Sequence, residues 1–254
     1  MKHFLALLFA LLPFNLCAQG IVSGAGTYSG GEYQLVADIL LEQGDGVVFT
    51  GPALLDLHGY KIKTDQTGNA AGYGVRFLAP SSSIKNGQVS GFWAGVRFDG
   101  DNSSIENVDI SARYMGVQIE GNNVTVRGGS ISDISGVTNA RYAIGVQVNG
   151  ENCKILDVEF RNIYAQANYL GKEAGEGVAV NFSSRSKNCI LSRGSYRNER
   201  YEGATIGVFA AGEGGHLIDQ FEMVNIFEPL QIARTNPPTR VINTVVRYAI
   251  NAQY

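Results

Sequence analysis

Three arginine–tyrosine pairs, Arg113-Tyr114, Arg141-Tyr142 and Arg200-Tyr201, each stand a few residues before a short apolar phrase that recurs along the chain. Arginine offers a planar fork that matches a carboxylate. Tyrosine can lie against a sugar ring, or take a proton when nearby cations lower its pKa. Tyr164, Tyr169, Lys172, Glu173 and Glu176 join these pairs in the longest loop. The same residues also serve simply to cover loop backbone, and both readings stay open. A second polar set lies inside the recurring phrase. Its third position holds Arg76, Arg97, Gln118 and Gln147, continued by Ala179 and Phe209; its fifth holds Leu78, Asp99, Glu120, Asn149 and Asn181. Asp99 and Glu120 on neighbouring copies are the residue types of a glycosidase pair, which in retaining enzymes stand about 5–5.5 Å apart. With Arg76 and Arg97 beside them they also suit an ion-pair network.

The phrase reads GVRFDG from Gly95, GVQIEG from Gly116 and GVQVNG from Gly145, with looser copies from Gly74, Gly177 and Gly207. Successive starts (74→95→116→145→177→207) fall 21, 21, 29, 32 and 30 residues apart. Each copy alternates with period two, so each predicts a short strand with Val and its aliphatic or aromatic partner buried and the polar positions outward. Strand signals repeating at this length predict a solenoid, in which a turn has no core until its neighbours cover it. Stacked copies place Arg76, Arg97, Gln118 and Gln147 about 4.8 Å apart on one face. The preceding glycines predict a strip of floor beside them without side chains. Val96, Val117, Val146 and Val178 should form one interior column, and Ile105, Val126, Ile155 and Leu191 another. Lys85-Asn86-Gly87, Arg127-Gly128-Gly129, Leu156-Asp157-Val158 and Ile242-Asn243-Thr244 read as tight corners, because Asn, Gly and Asp tolerate left-handed backbone.

Composition agrees. The chain has 254 residues with 32 glycines, 17% charged residues and a formal charge of -3. It is too apolar for disorder, and without a basic run it offers nucleic acid nothing. Met1–Ala18 reads as a secretory signal: Lys2 and His3 precede the apolar run Phe4–Leu12, which is shorter than the ~20 residues of a membrane span. The mature protein is therefore expected to be exported, periplasmic or extracellular, with no membrane contact after the signal is removed. No zinc spacing or phosphate loop appears, so no metal and no cofactor are expected.

Leu54-Leu55-Asp56-Leu57-His58-Gly59-Tyr60-Lys61-Ile62 resembles the L-D-L-x-G-x-x-I phrase near the start of many right-handed parallel β-helices of the pectin-lyase-like superfamily. The resemblance extends over nearly all of the mature chain. It implies an all-β fold: one right-handed parallel β-helix of about eight turns over Gly46–Tyr254, behind an N-terminal cap at residues 19–45. It also implies a substrate groove along the first sheet. The aspartate cluster of a pectate-lyase calcium site and the aspartate set of a polygalacturonase are both missing.

On this basis the expected activity is on an extended acidic, uronate-containing polysaccharide, by β-elimination or C5-epimerisation. Arg97, helped by Arg76, would neutralise the sugar carboxylate, and Tyr114 or Tyr142 would take the C5 proton. Gln118 and Gln147 would hold hydroxyls, and Arg141 and Arg200 would bind flanking carboxylates. Asp99, Glu120, Asn149, Asn181 and Tyr201 would line the groove. A non-catalytic carbohydrate-binding or surface-structural β-helix is the alternative, and a glycoside hydrolase using Asp99 and Glu120 a third. Cys153 and Cys189 fall at the same inward position of consecutive turns, within disulfide reach; a bond and two buried thiols both remain open. For the last turn, either Arg247–Tyr254 folds across the open core or another subunit masks it.

Overall fold

The computed structural model describes residues 20–65, 72–136, 142–165, 175–199 and 204–247. The signal segment, Tyr169, Lys172, Glu173 and all but the first residue of Arg247–Tyr254 lie outside these, as do Arg141, Arg200 and Tyr201. Every named element is a strand, and every pairing is parallel, with one nine-stranded and one 17-stranded sheet. The chain is a parallel β-solenoid. Each full coil gives one strand to the smaller sheet and two to the larger, the two being continuous at Ser83–Ser90 and Ser104–Ser111.

The recurring phrase builds the smaller sheet. Its members are Gly26–Tyr28, Val47–Phe49, Tyr73–Phe77, Ala94–Phe98, Met115–Ile119, Tyr142–Val148, Glu176–Phe182, Ala204–Ala210 and Glu228–Ile232. Six of these contain the phrase copies that start at Gly74, Gly95, Gly116, Gly145, Gly177 and Gly207. The first, Gly26–Tyr28, pairs with Val47–Phe49, and Gly31–Leu35 pairs with Ala53–Asp56 in the same manner. The stretch before Gly46 thus follows the strand order of the coils above it. Tyr28 and Tyr33 set their rings 5.7 and 5.2 Å from Phe49. Above them Phe49, Phe77 and Phe98 stack inside at 5.2 and 5.0 Å, in the offset spacing favoured by aromatic pairs.

Within the larger sheet, each coil from Ser83 onward bends at a residue with positive φ. These corners are Asn86, Asn107, Gly128, Asp157, Arg193, Gln220 and Asn243. Arg193 is the unexpected member, since a long side chain gains nothing from left-handed backbone. Its guanidinium makes a fork with the Asp157 carboxylate of the coil before, at 2.8 and 2.9 Å.

The interior column Ile105, Val126, Ile155, Leu191 forms as expected, and all four side chains are buried. The valine column needs one correction. Val96, Val117 and Val146 stack, but Val146 pairs with Val180, while Val178 pairs with Ile144. A slip of two residues keeps every side chain on its face, so alternation cannot detect it. The large ring of Phe182 settles the register by covering Val148 in the core.

The glycine strip is a second correction. A Cβ on Gly95 would lie 2.4 Å from the Ile110 side chain and 2.7 Å from the Gly116 carbonyl. Gly74, Gly116 and Gly145 would meet Val89, Ile131 and Ile163 in the same way. These glycines let the small sheet close against the second strand of the larger one, and they floor no groove. In the next coil Ala179 takes the place, its carbonyl 2.5 Å from where a Gly145 Cβ would be.

Candidate functional site

The outer face of the small sheet carries two columns of side chains. In register, the first reads Arg76, Arg97, Gln118, Gln147, Asn181, Phe209, Gln231. Asn181 therefore belongs to this column and not to the second, again because of the two-residue slip, and Ala179 falls on the glycine position. The second column keeps Asp99, Glu120 and Asn149.

One hydrogen-bond network ties the two columns together. Asp99 accepts from Arg76 Nε on one oxygen at 2.8 Å and from Arg97 Nε on the other at 2.6 Å. Arg97 continues to Gln118 Oε1 at 3.4 Å and to the Tyr73 hydroxyl at 2.8 Å. Glu120 Oε1 accepts from Gln118 at 2.7 Å and from Asn149 at 2.9 Å. Its Oε2 accepts from Arg185 at 2.8 Å. Gln147 donates to Asn149 at 3.0 Å and accepts from Asn181 at 2.8 Å. Five coils are joined without a break.

Burial alone would push the Glu120 carboxyl up, but the hydrogen bonds from Gln118, Asn149 and Arg185 outweigh it and hold it below the usual carboxylate range. It stays ionised near neutral pH and has no proton to give. With both Asp99 oxygens also occupied by arginine, the two carboxylates form an ion-pair network and not an acid/base pair.

An aromatic wall runs beside the columns. Tyr73 meets Trp93 edge-on at 5.8 Å, and Trp93 meets Tyr114 at 4.9 Å. The Arg76 and Arg97 guanidiniums sit 5.3 and 5.2 Å from the Tyr73 ring centre, within cation–π range. It is Tyr73 whose hydroxyl reaches Arg97. Tyr114 meets the site through the Trp93 ring. Burial, with the Tyr142 hydroxyl beside it, pushes the Tyr114 pKa up. That direction is the opposite of the lowering that a base at C5 requires. Tyr142 is half-buried on the strand below Glu176.

Tyr73, Trp93 and Arg185 escaped the sequence reading. Trp93 and Tyr114 both stand two residues before a phrase glycine, and the chain has a single tryptophan; that spacing was the available signal. Arg185 had none, because its partner lies 65 residues away.

Outside this face, Cys153 and Cys189 are buried free thiols. The hydrogen bond that Cys189 donates to Cys153, with burial, pushes the Cys189 thiol up. His216 is fully buried, stacked on Phe182 at 4.6 Å, and accepts the Cys189 backbone N–H on Nδ1 at 3.1 Å. Burial lowers its pKa to about 4. Among the described residues no cluster of His, Cys, Asp and Glu could hold a metal ion.

The chain matches no family model and no curated protein. Among solved structures it is similar to the Dettilon tailspike protein, at 13% identity and a TM-score of 0.43. The likeness covers 81% of this chain and 55% of that one, so the chain spans about half the length of the structure it matches.

Proposed function

We propose that this is an exported protein that binds an extended polysaccharide along the outer face of its nine-stranded sheet. The observation that carries the reading is the unbroken ladder from Arg76 to Asn181, flanked by the Tyr73–Trp93–Tyr114 wall. Amide side chains both give and accept hydrogen bonds, and at one group per coil they match a repeating, hydroxyl-rich chain. Aromatic rings present apolar area to the C–H faces of sugars. An acidic polymer suits the charge. Three arginines (Arg76, Arg97, Arg185) face two carboxylates (Asp99, Glu120), and Arg185 is well exposed. Assignment to the right-handed helices of the pectin-lyase-like superfamily, with the segment before Gln19 removed on export, belongs to this same proposal.

Binding without turnover is favoured over β-elimination or epimerisation. Arg97 is spent on Asp99, Tyr73 and Gln118, and the Tyr114 pKa moves away from that of a base. The test is isothermal titration with polygalacturonate, alginate and hyaluronan oligosaccharides, with ultraviolet absorbance followed for an unsaturated product. Binding weakened by Trp93→Ala and Arg76→Ala, with no absorbance rise, is the expected result. An absorbance rise lost in Tyr142→Phe would establish a lyase instead. Wild type that binds none of these polymers, nor any neutral oligosaccharide, overturns the proposal.

A further inference from the structure

The orientation of each amide in the ladder is dictated by Glu120. An ionised carboxylate only accepts hydrogen bonds, so Asn149 must turn its NH₂ group toward Glu120. That leaves Asn149 Oδ1 to accept from Gln147 Nε2, and Gln147 Oε1 to accept from Asn181 Nδ2. Each amide passes the same polarity to the next. The last atom of the relay, Asn181 Oδ1, is an acceptor. It is buried and has no hydrogen-bond partner among the described residues. Flipping Asn181 would set two acceptors against each other at Gln147, so the protein cannot relieve it locally. A buried acceptor left unmatched is destabilising, and a donor supplied from outside would remove that penalty.

Phe209 lies next in the column, paired with Asn181 and half-buried. We propose that Asn181 and Phe209 form a subsite for an uncharged sugar ring. A ring hydroxyl donates to Asn181 Oδ1, while a C–H face of the sugar packs against Phe209. The inference rests on the reading of this face as a polysaccharide site and adds a polarity to it. The Asn181 end takes hydroxyl donors and refuses carboxylates; the Arg76 end takes anionic groups. Gln147 is pinned by two hydrogen bonds, whereas the Phe209 ring can make none. Phe209 is therefore the neighbour that turns aside to admit the hydroxyl.

The experiment compares wild type with Asn181→Leu, Phe209→Ala and Arg76→Ala by isothermal titration against cello-, dextran- and galacturonate oligosaccharides and hyaluronan fragments, whose uronate alternates with an uncharged sugar. Asn181→Leu and Phe209→Ala should each weaken binding of oligomers containing uncharged sugars about tenfold, and of pure oligogalacturonate far less. Asn181→Leu removes the unmatched Asn181 oxygen but also takes away the donor to Gln147 Oε1, so it should melt close to the wild-type temperature. Arg76→Ala should show the opposite preference. If wild type binds and Arg76→Ala weakens binding, yet both other variants bind every oligomer as wild type does, the subsite is wrong and the face remains a binding site. If wild type binds nothing, both fall.

Discussion

Glu120 is the residue on which the face depends, and two substitutions separate its roles. In Glu120→Gln the amide oxygen can still accept from Gln118 and Asn149, which share Oε1. Only the Arg185 pair on Oε2 is lost, and Arg185 is 67% exposed. A pair that open contributes about 0.2–1 kcal/mol, so Glu120→Gln should cost less than about 1 kcal/mol. Glu120→Leu removes the acceptor altogether. Two half-buried amide donors then lose their partner, at about 1–3 kcal/mol each when fully buried and less here, so roughly 2–4 kcal/mol together. At about 2–4 °C per kcal/mol for a chain of this size, the Leu variant should melt roughly 5–15 °C lower and the Gln variant within a few degrees of wild type. Urea unfolding followed by both circular dichroism and fluorescence measures this and shows whether the coils unfold together. Acid adds a check. The folded pKa of Glu120 lies below its ordinary 4.5, so its charge stabilises above that pH and the contribution fades as pH falls through the folded value. The wild-type advantage over Glu120→Gln should therefore close in acid. Equal losses in the two variants, or none in Glu120→Leu, would refute the relay.

Three further outcomes are expected. Gly95→Ala should cost about 1–3 kcal/mol, as overpacking does, because its Cβ would lie 2.7 Å from a backbone carbonyl that cannot swing away; Ala179→Gly, at the matching place, should cost less than about 1 kcal/mol. Peptide mapping of protein alkylated while unfolded and unreduced should find Cys153 and Cys189 both modified, and a disulfide-linked peptide pair would contradict the buried free thiols. His216 folds neutral with a pKa of about 4 against 6.5 unfolded, so stability is whole above pH 6.5 and falls by about 2–3 kcal/mol on acidification to pH 4.5; a His216→Phe variant that keeps this loss would show that another group titrates.

Alternation carried most of what was readable in the sequence. Val96 and Phe98 had to lie inside and Arg97 and Asp99 outside, because a one-residue slip would have put two arginines into the core. Corners were readable at Asn86, Gly128, Asp157 and Asn243, where the residue types suit positive φ. Arg193 was not, since what holds it is a fork to a carboxylate 36 residues earlier. Period two is also blind to a slip of two, and there the reading failed. Counting from Gly177 put Val178 under Val146 and Asn181 beside Asn149. Both errors preserve every face, and only the fit of Phe182 over Val148 distinguishes the true register.

That single slip carries the chemistry of the upper face. Counted from Gly177, the first column would be interrupted by a bare Ala179 before Phe209, and Asn181 would be one more member of the second column, beside Asn149. In the true register Asn181 takes the fifth rung of the first column, its third amide, and receives a polarity that begins at Glu120, two coils below. The glycines show the same dependence from the inside. Ala179 can fill a place that is glycine in the coils below only because its coil starts two residues later than the repeat suggests. Hydrogen-bond direction is decided by which atoms meet between coils, and strand periodicity decides only which face they are on. A solenoid can therefore keep its fold through many sequences while the direction of its outer ladder changes with one residue of the ionisable kind. Replacing Glu120 by a lysine, a donor only, should reverse Asn149, Gln147 and Asn181 in turn and leave an N–H at the end of the relay in place of the carbonyl oxygen. The expected outcome is a face whose Asn181 end prefers acceptor groups, read as a gain of carboxylate-bearing over uncharged oligosaccharides in the same titrations. An unchanged preference in a folded Glu120→Lys protein would mean that the amides orient independently of one another.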